Sequence, residues 1–121
     1  MDQHLGMLKS TWTEVNELRI HVLVSVAPMP PGTPVVVLVH GSGLSGRYMI
    51  PTAERLAADY PVYVPDLPGF GDSDKPSRVF DVSELTDWLA EWMVAAGLDR
   101  AALLGNLFGC QIIAYASGER A

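Results

Sequence analysis

The chain has a single cysteine, Cys110, so no disulfide can close within it. Its only histidines are His4, His21 and His40, all within the first forty residues. Basic residues are scarce. Eight Lys and Arg stand against fourteen Asp and Glu, and the net charge is −6. That balance favours solubility and disfavours nucleic acid and anionic membranes as partners. No apolar run approaches membrane-spanning length. Met1-Asp2-Gln3-His4 lacks the basic start and apolar core of a signal peptide, so a cytoplasmic location is expected. Repeats and low-complexity tracts are also missing. What remains is 121 residues, 49% hydrophobic and 18% charged, the composition and length of one small globular domain.

The first third reads as antiparallel β-structure. Leu18, Ile20, Val22, Val24 and Val26 alternate with Arg19, His21, Leu23 and Ser25, the period of a strand with one buried face. His21 falls on the polar side of that alternation and is expected to be solvated. Trp12 to Val15 would be its hairpin partner, turning at Asn16-Glu17. Residues 27–34 hold four prolines, which forbid helix and ladder alike. Val35 to His40 is an uninterrupted β-branched run, suited to a parallel strand buried on both faces. Pro61 to Asp66 predicts a further strand, leading into a loop dense in turn residues, Asp66-Leu67-Pro68-Gly69-Phe70-Gly71-Asp72-Ser73.

Two helices fit between these runs. Met49 to Asp59 carries Ile50, Ala53, Leu56 and Ala57 on one stripe. A second is capped by Ser83, buries Leu85, Trp88, Leu89, Trp92, Met93 and Ala96, and stops at Gly97. Its two tryptophans are expected to pack in the core. Asp81, Glu84, Asp87 and Glu91 are read as its solvated face.

The most informative stretch follows the apolar run Ala101 to Leu104. Gly105-Asn106-Leu107-Phe108-Gly109 has the form G-x-S-x-G with leucine in place of serine, ahead of a helix-like segment. In that setting G-x-S-x-G is a nucleophile elbow, whose glycines permit a sharp turn and close backbone approach. An isobutyl group has no lone pair with which to attack a carbonyl carbon.

Together, the His40-Gly41-Ser42-Gly43 loop, the D-L-P-G-F-G-D-S loop and the G-N-L-F-G elbow resemble the α/β-hydrolase fold family in order and spacing, over roughly residues 12–121. The resemblance implies an α/β fold: a mostly parallel sheet with helices on both faces and an N-terminal antiparallel strand pair. The 121 residues would then be a partial domain ending after the elbow helix. It implies oxyanion-hole N–H groups at Ser42 or Gly43 and at Phe108, a nucleophile position at Leu107, and framework roles for His40, Gly41, Gly105 and Gly109. His40 would shape the oxyanion loop and not act as the base.

The implied parent activity is hydrolysis of an ester-like or related small substrate, with no cofactor. Catalysis is expected to be lost: position 107 has no nucleophile, and no histidine follows it. Cys110 lies on the helix and is a poor substitute. Asp66 and Asp72 share a loop, but no second histidine or cysteine accompanies them, so no metal site is expected. Self-association through an exposed sheet edge is expected. One alternative is a non-catalytic small-ligand-binding protein of the same fold. Another is a dinucleotide-binding Rossmann domain, because Gly41-Ser42-Gly43-Leu44-Ser45-Gly46 matches G-x-G-x-x-G and Asp66 follows at the end of the next strand.

Overall fold

The structure is a computed structural model that describes residues 4–40 and 46–105, with the backbone alone for His4 and Leu5. Among the described residues six strands form one sheet: β1 (His4–Leu5), β2 (Leu8–Val15), β3 (Leu18–Ser25), β4 (Val36–Val39), β5 (Val62–Pro65) and β6 (Ala102–Gly105). A 3-10 turn, Gly46–Met49, leads into α1 (Ile50–Leu56), and α2 (Val82–Ala95) joins β5 to β6. The sheet order is β1-β2-β3-β5-β4-β6. β1, β2, β3 and β5 pair antiparallel in turn, whereas β4 is parallel to both β5 and β6.

The hairpin partner of β3 is longer than Trp12–Val15, since β2 begins at Leu8. The turn falls at Asn16-Glu17 as expected. Both residues have positive φ, 50° and 69°, as a two-residue turn matched to strand twist demands. The alternation along β3 breaks in the middle, where Ile20, His21, Val22 and Leu23 are all buried. Ile20 and Val22 pack under α2, while Leu23 packs on the α1 side.

β4 is buried from end to end. Val37 and Val39 join the α2-side core with Val15, Leu85, Trp88, Leu89 and Trp92. Val36 and Leu38 join the α1-side core with Leu8, Met49, Ala53, Ala57, Val62 and Val64. The two helices therefore cover opposite faces. Chirality accounts for this: the step from β4 to β5 moves one way along the sheet, and the step from β5 to β6 moves back across β4. Right-handed crossovers in opposite directions place their helices on opposite faces.

α2 owes its ends to local chemistry. Its N-cap is Asp81, not Ser83. Asp81 accepts the Glu84 N–H at 2.8 Å, and Glu84 accepts the Asp81 N–H at 3.0 Å, a complete capping box. Asp81 and Glu84 thus close the helix end rather than form a merely solvated face. The Arg78 guanidinium on Glu84, aided by the Asp81 N–H, holds the Glu84 carboxyl at about 2. At the other end Gly97 takes φ +75°. The Leu98 and Gly97 N–H groups return to Met93 and Val94, a Schellman stop. Trp88 and Trp92 stack at 6.2 Å in the core; among the described residues neither indole N–H has a partner.

α1 is shorter than the expected Met49–Asp59. It has no side-chain cap, and Pro51 sits in its first turn, where the missing N–H costs no helical hydrogen bond.

Candidate active site

The chain reverses direction across the sheet at β4, the topological switch point where open α/β sheets form crevices. There β4 and β6 run in parallel register from Val36↔Ala102 to Val39↔Gly105. The two strands end level. The H-G-S-G sequence, starting at His40, and the G-N-L-F-G sequence, starting at Gly105, therefore leave from adjacent points on one edge. Gly41, Ser42, Gly43, Leu107, Phe108 and Gly109 lie outside the described residues. A groove of about 560 Å³ lined by Thr33, Pro34, Arg100 and Ala101 opens at the opposite end of these strands.

On the β5 side the edge is locked by two reciprocal bonds. The Leu67 N–H, from the loop after β5, donates to His40 Nε2 at 2.9 Å. The Gly46 N–H, from the connection after β4, donates to Asp66 Oδ1 at 2.6 Å. His40 is fully buried and meets the Phe70 ring edge-on at 5.4 Å. Because its Nε2 accepts a hydrogen bond, a neutral His40 ring carries its proton on Nδ1. The ring's basic lone pair is already occupied.

Asp66 is the hub of this edge. Besides Gly46 it accepts the Asp72 N–H at 3.0 Å and bonds His21 Nδ1 at 3.0 Å. Burial pushes its carboxyl up, but the His21 bond, the Gly46 and Asp72 N–H groups and the His21 charge outweigh it. The net position is below the ordinary aspartate value of 3.8. The backbone closes a second ring. The His21 N–H donates to Ser73 Oγ, the Ser73 hydroxyl donates to the Asp66 carbonyl, and the Asp66 N–H donates to the His21 carbonyl. Gly71 turns at φ +55°, and a Cβ there would lie 2.4 Å from the Asp66 carboxyl carbon.

His21 is thus buried and bonded, not solvated. The physical reason is register: Val22↔Pro65 places His21 beside Asp66. The antiparallel β3–β5 pairing that creates this neighbour joins residues far apart in the chain. A histidine in the middle of an eight-residue apolar strand was the available signal.

The expectation was that no second histidine or cysteine accompanies Asp66 and Asp72; the same pairing brings His21 to them. The three side chains offer ligand atoms within 4.8 Å of one another. However, both Asp66 oxygens accept N–H groups, and His21 bonds Asp66 and Ser10 through its two nitrogens. Hydrogen bonding accounts for the cluster without an ion.

The sequence profile described as the alpha/beta hydrolase family matches residues 36–121. The chain belongs to the α/β-hydrolase family. A haloalkane dehalogenase from Mycobacterium marinum is 35% identical over 111 residues, covering 84% of this chain and 36% of that protein. The solved structure of a membrane phospholipase A, described as a bacterial virulence factor, matches with TM-score 0.86 at 31% identity. It covers 97% of this chain and 37% of that one. An epoxide hydrolase from Vigna radiata matches with TM-score 0.82 over 94% of this chain and 36% of that one, but at 21% identity it speaks for the fold alone. The chain spans about a third of the length of the curated relatives it matches.

Membership in this family displaces the Rossmann alternative. The glycine run follows the fourth strand, behind three antiparallel ones. The Asp66 carboxylate, which that alternative needs for a ribose, is instead bound to Gly46, Asp72 and His21. No helix among the described residues is long and apolar enough to cross a membrane.

Proposed function

We propose that residues 1–121 are the N-terminal part of an α/β-hydrolase domain whose parent activity is nucleophilic hydrolysis of a small ester-like or related substrate, and that this chain is silent at the elbow. The observation that carries the reading is Leu107 in the sequence G-N-L-F-G, which starts at Gly105, the last residue of a strand that ends level with the strand preceding H-G-S-G. In the parent, a serine at position 107 attacks, and the N–H groups of Ser42 or Gly43 and of Phe108 hold the oxyanion. His40, Gly41, Gly105 and Gly109 form the frame. The relatives carry different names, a dehalogenase and a phospholipase, so the substrate is assigned only as a small molecule. With leucine at the attacking position, the crevice is left with ligand binding as its remaining use.

Treatment with a fluorophosphonate, followed by trypsin and mass spectrometry, tests this. The peptide Ala101–Arg120, which spans the elbow, is expected to remain unlabelled. Leu107→Ser in this 121-residue chain is expected to add no esterase turnover, since His21 and His40 are already engaged and losses within a catalytic unit are non-additive. A stoichiometric adduct on the Ala101–Arg120 peptide, or turnover gained by Leu107→Ser, overturns the reading.

A further inference from the structure

A second constellation lies on β2, β3 and the end of β5. Ser10 Oγ is 2.8 Å from His21 Nε2, and His21 Nδ1 is 3.0 Å from Asp66 Oδ2. An ionised carboxylate can only accept, so His21 Nδ1 carries the proton. In the neutral ring Nε2 then holds the lone pair, and the Ser10 hydroxyl donates to it. This is the order nucleophile, base, orienting acid, with the aspartate fixed by two further N–H donors. The hydroxyls of Thr11, Thr33, Ser73 and Thr86 donate to main-chain carbonyls instead, which cannot take their protons.

The surroundings suit an incoming electrophile. Ser10 is half-buried, and Trp12, two residues along on the same face, is 42% exposed. The Trp12 ring lies 4.9 Å from His21, and the Arg19 guanidinium sits 4.2 Å over that ring. An aromatic wall and a cation therefore stand beside the relay.

We propose that Ser10, activated by His21 and oriented through Asp66, is a nucleophile that accepts acyl or phosphonyl groups from small activated electrophiles. Ser10 Oγ attacks the carbonyl carbon or phosphorus while its proton passes to His21 Nε2. The bond to the leaving group breaks, and that group departs with the bonding pair and takes the proton from His21. The product is a Ser10 ester, and the imidazolium formed on the way is held by Asp66. Position 107 takes no part, so the site stands or falls independently of the elbow.

The test is the location and rate of the fluorophosphonate adduct on the intact 121-residue chain. The tryptic peptide Ser10–Arg19 is expected to carry it on Ser10. Ser10→Ala removes it, and His21→Asn slows its formation by about 100-fold or more. Labelling is also lost when the chain is unfolded in urea before the probe is added, a control that needs no variant to fold. An unlabelled Ser10–Arg19 peptide in the native chain overturns the proposal. So does equal labelling of native and urea-unfolded chain, or a His21→Asn rate within about threefold of the parent. An adduct on Ala101–Arg120 instead sinks the silent-elbow reading, and the two failures are told apart by the peptide that carries the mass.

Discussion

The two flanks of β4 are built differently. Towards β5, the strand end is tied by side chains: His40 receives the Leu67 N–H, and Asp66 gathers Gly46, Asp72 and His21. Towards β6, the described contact is a main-chain ladder from Val36↔Ala102 to Val39↔Gly105, beginning with the Ala102 N–H on the Val35 carbonyl. Along β6 exposed Ala102 and Leu104 alternate with part-buried Leu103 and Gly105, and Leu104 is 44% exposed. The β5 flank is over-determined and cannot shift without stranding a buried donor. Among the described residues the β6 flank has its ladder and the packing of Ala101 and Leu103 against the α2-side core, with no side-chain lock of the β5 kind.

The largest expected effect breaks the β5 flank. Asp66→Ala strands the Gly46 and Asp72 N–H groups and His21 Nδ1, and should cost about 3–5 kcal/mol in urea unfolding. The pH dependence sharpens the same point. The Asp66 carboxyl lies below its ordinary value of 3.8 in the folded chain. The unfolded state therefore binds the proton first as pH falls. The contribution is complete above the ordinary value and is lost below it, as pH drops through the folded value. The stability gap between the parent chain and Asp66→Asn should be constant near neutrality and close in acid. A gap that widened on acidification would contradict the hub.

Gly71→Ala probes the same flank from outside. It combines φ +55° with a Cβ 2.4 Å from a carboxyl group held by three hydrogen bonds, and should cost about 2 kcal/mol. A thermal melt unchanged by this substitution would show that the loop yields, and the contrast between the flanks would disappear.

The smallest effect on stability is expected on the β6 flank. An open strand edge invites pairing with another chain. The 121-residue chain should therefore self-associate, and Leu104→Lys should shift it towards monomer while altering stability by no more than about 0.5 kcal/mol. Sedimentation velocity decides the matter: a compact monomer from the parent chain removes the difference between the two flanks.

Much of the fold was legible because its signals are local. The β-branched run before His40, the Trp88 and Trp92 stripe, and the stop at Gly97 each depend on residues within a few positions of one another. The N-cap was misplaced by two residues because Ser83 and Asp81 are both good caps. Which one closes the helix depends on Glu84 three residues beyond Asp81, a capping-box spacing that is also in the sequence. The family was legible in the three motifs, whose order and spacing are local to the sequence.

By itself, then, the sequence determined the order of elements, the two glycine-rich motifs and the leucine that stands where G-x-S-x-G has serine. Only the tertiary structure decided that His21 is buried, that Asp66 joins three separate segments, and that Ser10 faces a ring nitrogen. The reason is sheet pairing. Ser10, His21 and Asp66 meet because β2 lies against β3 and β3 against β5, and no local period along the chain encodes a pairing between strands forty residues apart.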